Sequence, residues 1–272
     1  MATGPLDLRH ASPAAVRAAA ARDDWTGPTA GLALGYVQAN LVILPRDWAY
    51  DFLLFCVRNP QPCPVLEVTD EGSPEPTVTA PGADLRTDVP RYVVHRHGEI
   101  VDMPTDLLGL WQPDFVSFLL GCSFSFEHAL CSAGLPVRHI ERGSNVPMYR
   151  TRRECRPAGR FRGTLVVSMR PMTSEQAQAA ARITAQYPLA HGAPVHFGAP
   201  EELGIGDLAR PDFGDPVPLQ PGEIPVFWAC GVTPQVALQN ARPPLAITHA
   251  PGHMFVTDWP DERLRITTSN HA

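Results

Sequence analysis

Two rhythms of apolar and polar residues alternate along this chain, and the breaks between them fall at proline and glycine. The stretch RDWAYDFLLFCVRNP carries apolar residues at helical spacing and stops at Asn59-Pro60, which predicts a helix. Pro13–Arg22 is alanine-rich behind Ser12 and predicts another, capped by that serine. TSEQAQAAARITAQYP predicts a third, with Thr173 or Ser174 at its cap. Short runs rich in β-branched and aromatic residues predict strands: CPVLEVTD, TLVVSMRPM, APVHFG, EIPVFWACGV and LAITHAPGHMFVTD. RYVVHRHGEIVD predicts two more, folded into a hairpin about His97-Gly98. TAGLALGYVQANLVILP reads as a helical turn or as a strand leading to Asn40. PDFVSFLLGCSFSFEHALCSAG predicts a helix opening on Asp114, re-aimed near Gly121 and resuming through Glu127 to a stop at Gly134. Strands alternating with helices indicate an α/β protein.

Composition narrows the functions open to such a fold. With 272 residues and 44% hydrophobic content, the chain is long enough for one large domain or two smaller ones. A net charge of −6 argues against general affinity for nucleic acid or anionic membrane surfaces. No window approaches the roughly 18 apolar residues that a membrane span needs, and the N-terminus has no secretory apolar core. A cytoplasmic location is therefore expected. The six cysteines form no C-x-x-C pair or zinc-ribbon spacing and are expected to be reduced. All 22 basic residues are arginine. Without lysine the chain has no Schiff-base or pyridoxal-phosphate lysine and no Walker-A lysine.

Candidate chemistry gathers at the ends of apolar runs. Cys122 follows Gly121 where a helix restarts, a place where a helix dipole lowers a thiol pKa. Glu127, five positions on, shares a cleft with it if the helix is broken at Gly121. Cys230 ends an apolar strand and is followed by Gly231, Thr233 and Gln235, the kind of strand end where ligands bind. THAPGHMFVTD offers His249, His253 and Asp258. Pro251-Gly252 forbids the helix that would turn the two histidines into a zinc pair, so no metal is expected, and an acid–base histidine is the better reading. Asn145, Tyr149 and Arg150, with Arg170 at the end of an apolar strand, are candidates for holding a substrate carboxylate. The residues alone thus describe an α/β enzyme of small polar substrates working with cysteine, histidine and carboxylate.

GYVQANLVILP, GCSFSFE, PVRHIERGSNVPMY, CRPAGRF, LVVSMRP, HGAPVHFG, PDFGD, PVFWACGVTPQ and THAPGHMFVTD, taken in order, resemble the hydro-lyase family also called D-glutamate cyclase-like. The likeness runs from Gly35 to Asp258, and Asn40 lies within its first motif. It implies a three-layer α/β main domain, residues 1–129 and 216–272, with a smaller two-layer α+β subdomain inserted at 130–215. It also implies a relative that converts D-glutamate to 5-oxo-D-proline and water.

The expected function is a cofactor-independent hydro-lyase, of dehydratase or cyclase type, acting on a small amino or hydroxy carboxylic acid. The expected catalytic set is Cys122, Glu127, Cys230 and His253. The expected substrate-binding set is Asn40, Asn145, Tyr149, Arg150, Arg170, His249 and Asp258. The alternative is a non-catalytic binding protein for a small carboxylate metabolite. A low-pKa cysteine would distinguish the enzyme from the binder. Beyond the small carboxylate no partner is expected except a second copy of the chain in a homo-oligomer.

Overall fold

A computed structural model describes residues 7–266. The chain opens with α1 (Pro13–Ala21), where the Ser12 side chain accepts the Ala15 N–H at 3.3 Å and Pro13 takes the first helical position. Strand β1 (Tyr36–Pro45) leads directly into α2 (Arg46–Arg58), and β2 (Val65–Val68) follows. The hairpin β3 (Tyr92–Arg96) and β4 (Glu99–Asp102) turns on His97 and Gly98, both at positive φ, as expected. Next come β5 (Phe115–Gly121), α3 (Phe124–Ser132) and the single turn α4 (Arg138–Glu141). β6 (Met148–Glu154), β7 (Thr164–Thr173), α5 (Ser174–Thr184) and β8 (His196–Phe197) complete the middle of the chain. It closes with β9 (Glu223–Ala229), α6 (Thr233–Ala241), β10 (Ala246–His249) and β11 (Phe255–Pro260).

The strands form two sheets, and the strand pairs within them are antiparallel. The larger has seven strands in the order β2-β5-β1-β10-β3-β4, with β11 also on β1; the smaller has four, β6-β7-β9-β8. The class is therefore mixed α/β built on antiparallel sheets. β7, α5 and β8 follow one another in sequence but do not form a parallel β-α-β unit, because β9 lies between β7 and β8. Since β9 spans 223–229, the smaller sheet runs past residue 215, and a boundary there would divide it.

The helix expected from Asp114 is instead β5. All seven of its residues are buried. Val116, Phe118 and Leu120 pack with Phe52 and Phe55 of α2, while Phe115 and Leu119 join the cluster on the other face of the sheet. An apolar run buried on both faces has no periodicity to separate strand from helix. Pairing decided it: β5 runs beside β1 from Ala39↔Gly121 to Pro45↔Phe115, with β2 on its other edge.

Helices α2 and α6 cover one face of the large sheet through Phe52, Phe55, Ala237 and Leu238; loop residues Ala80, Leu85, Val89 and Leu107 cover the other. Phe52 is fully buried, with ring centroids 4.8 Å from Phe118 and 5.2 Å from Phe161. Phe52→Ala is expected to remove about 3–5 kcal/mol of stability. Urea unfolding of the two proteins checks this, and a loss below about 1 kcal/mol would mean the neighbours collapse into the hole.

One topological feature places the site. Strand β1 changes partner along a single edge, pairing with β11 through Gln38 and Ala39 and with β10 through Val42 and Ile43. The loop Ala250–Met254 that joins β10 to β11 leaves the sheet at this change. Asn40 is in the gap, opposite Leu120 on the other edge and next to the end of β5.

Candidate active site

Two junctions of the same design meet beside that gap. β5 ends at Gly121, Cys122 follows, and α3 begins at Phe124; β9 ends at Ala229, Cys230 follows, and α6 begins at Thr233. Each thiol lies beside the backbone N–H two residues on, that of Phe124 or of Val232, which favours the thiolate. The glycines beside them are demanded by close approach. A Cβ at Gly121 would strike the Leu189 carbonyl, and one at Gly231 would strike the Asn40 amide.

The two cysteines, one from each sheet, line a single narrow cleft of about 20 Å³, together with Asn40, Ser123, Asn145 and His249. Val146, Met148, Val232, Met254 and Phe124 make its apolar wall. Asn40 is fixed by donating from Nδ2 to the Gly121 carbonyl at 2.8 Å, which leaves Oδ1 facing His249 Nε2 at 3.1 Å. His249 Nδ1 is 2.7 Å from the Ala250 carbonyl, a contact that requires the proton on Nδ1 and assigns the Nε2 lone pair to the cleft side. Gln235 Nε2 donates to that lone pair at 3.1 Å. Burial pushes the His249 pKa down to about 4, only partly opposed by the Ala250 carbonyl, so the ring is neutral near pH 7. The Nε2 lone pair is therefore engaged by Gln235; the neutral imidazole acts as a base once that amide gives way, and Asn40 Oδ1 is in place to accept a hydrogen bond from the Nε2–H that results.

The thiols depart from expectation. Burial raises Cys122 far above the usual thiol range and Cys230 to about 11, outweighing the N–H groups that favour the thiolates. Both are protonated near pH 7. The low-pKa cysteine expected of an enzyme is absent from this pair, because desolvation outweighs the helix dipole.

Glu127 and Arg170 correct the sequence reading more strongly. Glu127 is 2% exposed and lies behind Ser123, outside the cleft lining. Burial alone would raise its pKa, but His139, whose Nε2 is 3.1 Å away, and Arg170 hold it below the usual value, so it stays a carboxylate. The Arg170 guanidinium donates to Glu127 through Nε at 3.2 Å and through Nη2, to Ser168 Oγ at 3.2 Å and to Ser123 Oγ at 3.0 Å. It also lies over the rings of Phe126 and Trp228. Its fork is thus occupied inside the protein and cannot clamp a substrate. Glu127→Gln leaves that guanidinium uncompensated, and the expected loss is about 3–5 kcal/mol in urea unfolding. A loss under about 1 kcal/mol would show that the pair carries little of the fold.

Four other candidates lie elsewhere. Tyr149 packs on Phe227 and donates its hydroxyl to the Leu208 carbonyl at 2.7 Å. Arg150 is exposed, bonded to Gln239 and stacked over Phe213. Asp258 pairs with Arg17 at 2.9 Å and so ties α1 to β11. His253 is half-buried with Nδ1 3.0 Å from the Pro251 carbonyl, and it is not among the cleft-lining residues. The histidine that lines the cleft is His249, expected only as a binding residue. Asn145 does reach the cleft: its Nδ2 donates to Pro251 at 3.2 Å, and Oδ1 has no partner among the described residues. Sequence reasoning missed Ser123, whose only signal was its place directly after Cys122. It noted Gln235 only as a polar neighbour of Cys230. Among the described residues, no three His, Cys, Asp or Glu side chains are grouped to hold a metal ion, and no helix is long and apolar enough to cross a membrane.

A narrow cleft at the junction of the two antiparallel sheets thus holds a neutral histidine and two protonated cysteines. Residues 116–258 match the D-glutamate cyclase family. The chain is 59% identical to a protein of Stutzerimonas stutzeri over 95% of its own length and 97% of that protein's. It is 58% identical to one from Bacillus licheniformis (96% and 100% covered) and 63% identical to one from Rubrobacter xylanophilus (90% and 95%). All three carry the name "Putative hydro-lyase". The chain belongs to the D-glutamate cyclase family, whose members of this type are named as hydro-lyases.

Proposed function

We propose that the chain is a cofactor-independent hydro-lyase, of dehydratase or cyclase type, that works on a small amino or hydroxy carboxylic acid in the cleft of Asn40, Cys122, Asn145, Cys230 and His249. The observation that carries this reading is one neutral imidazole and two protonated thiols lining the same cleft. Loss of water needs a base for one proton and an acid for the departing oxygen. In a dehydration His249 Nε2 takes the proton next to the carboxyl group, and the Cys122 or Cys230 thiol protonates the leaving hydroxyl. In a cyclisation the two protons lost by the substrate ammonium are the two gained by the departing carboxyl oxygen, and His249 and a thiol pass them across. Asn40 Oδ1 receives the imidazolium N–H during either transfer. With Arg150 and Arg170 engaged elsewhere, the substrate carboxylate falls to the Asn145 amide in the cleft wall.

The six free thiols suit a reducing, cytoplasmic setting. A second reading, a non-catalytic carrier of a small carboxylate, is favoured by the raised thiol pKa values. Mass spectrometry of the purified protein with a panel of amino and hydroxy acids, D-glutamate first, separates the two. An 18-Da loss or gain is expected for at least one member. Saturable binding without any mass change would establish the carrier.

A further inference from the structure

Phe124 is a wall of two spaces. One is the narrow cleft, with room for about one water; the other is a cavity of about 120 Å³, with room for several. Leu32, Leu34, Tyr36 and Ile140 give this cavity an apolar body, and its polar side chains include Gln38, Glu127, His128 and Asp261. Gln38 and Glu127 are 3% and 2% exposed, and each keeps one oxygen without a partner among the described residues. Gln38 donates Nε2 to the Thr29 and Leu32 carbonyls at 2.9 and 3.1 Å, which fixes the amide and makes Oε1 the atom left over. Glu127 spends Oε1 on Arg170 and His139, which leaves Oε2. A buried acceptor without a donor is costly, so two in one cavity point to a partner that enters it. Asp261 is a second acid on the same wall, its Oδ2 3.1 Å from His128 Nδ1, and no arginine lines the cavity.

We propose that this cavity binds a primary ammonium group carried on a short apolar body. The site is separate from the cleft of Cys122 and Cys230 and goes beyond the function read there. An ammonium has three donors and no acceptor. It offers them to Glu127 Oε2, Gln38 Oε1 and the Asp261 carboxyl group, and its carbon chain lies against Leu32, Leu34 and Ile140. A hydroxyl brings a single donor and no charge, so it leaves acceptors unmet. An anion meets two acids and no guanidinium, loses its water and gains little.

Calorimetry of the full chain with n-butylammonium, 1-butanol and butyrate, alike in length and different in charge, tests this. The cation is expected to bind at least about tenfold more tightly than the alcohol, since hydrogen bonds to ionised groups are roughly twice as strong as neutral ones. Butyrate should not bind. Cys131 supplies a second readout: it lines the cavity and is exposed, whereas the other five cysteines are buried. Iodoacetamide at pH 8 should therefore alkylate Cys131 first, and n-butylammonium at ten times its Kd should slow that reaction roughly tenfold. Asp261→Asn keeps the shape and the reach to His128 but removes the charge. It should weaken the cation about tenfold and leave 1-butanol unchanged, a selective loss that a merely structural defect would not give. D-Norvaline, which is n-butylamine with a carboxylate added, distinguishes the sources: tighter binding than the amine names an amino acid, weaker binding a plain amine. Equal affinity for cation and alcohol, binding of butyrate, no binding of the amine, or a Cys131 that the amine leaves unprotected overturns the proposal. None of these readouts involves turnover, so the site stands or falls apart from the 18-Da test of the cleft.

Discussion

Unfolding free energy is expected to fall steeply as pH drops from about 6.5 towards 4, a loss that begins well before carboxylates protonate. Three buried histidines cause it. His95, His191 and His249 are each depressed to about 4 by burial, against an ordinary value of 6.5. His95 has only Thr248 Oγ1 at 3.2 Å, and His191 only the Gln61 carbonyl at 2.8 Å. Folded, all three stay neutral below pH 6.5; unfolded, all three take up protons there. The unfolded state therefore binds more protons, and the stability present above pH 6.5 is lost as pH falls towards the folded pKa values. Each histidine contributes about 1.4 kcal/mol per pH unit, so together they approach about 4 kcal/mol per unit in the middle of the window. Urea titrations at pH 7, 5.5 and 4.5 measure this. A flat profile down to pH 4.5 would show that these rings are hydrated or charged in the folded protein.

The second large effect concerns turnover. His249→Gln is expected to lower kcat by a factor of roughly 100 to 10,000, the range seen for loss of a general base. Gln keeps a polar end near Asn40 and Gln235, so the fold should remain, which circular dichroism checks. His253→Gln, by contrast, should leave kcat near the wild-type value, because that ring is turned to the Pro251 carbonyl outside the cleft. The reverse pattern would return the base to His253 and sink the assignment.

The turnover prediction uses residues that the sequence pointed to, with their roles redistributed by the fold, whereas His95 and His191 carried no signal in the sequence. Asn40, Cys122, Cys230 and His249 were legible because each ends or interrupts an apolar run, and such positions face the joints between elements. Capping chemistry was equally legible: Ser12 and Thr173 cap α1 and α5 as their side chains dictate. β5 was not, since burial on both faces erases periodicity. Arg170 and Asp258 were misread for another reason. A charged residue advertises that it needs a partner without naming one, and here Glu127 and Arg17 supply the partners from distant segments. The depressed thiol pKa failed likewise. Helix position is local and readable, whereas desolvation comes from residues brought in by the whole fold.

The exchange of partners along β1 bears on how finely this protein can be divided. The family-matched stretch, 116–258, contains β5, β10 and most of β11 but not the strand that all three pair with. Cut out and expressed alone, it would present several bare, apolar strand edges, each a template for pairing with a neighbouring chain. Such a fragment aggregates rather than folds, and it lacks Asn40 in any case. The unit that must be inherited or transplanted intact therefore begins no later than Tyr36, where β1 starts.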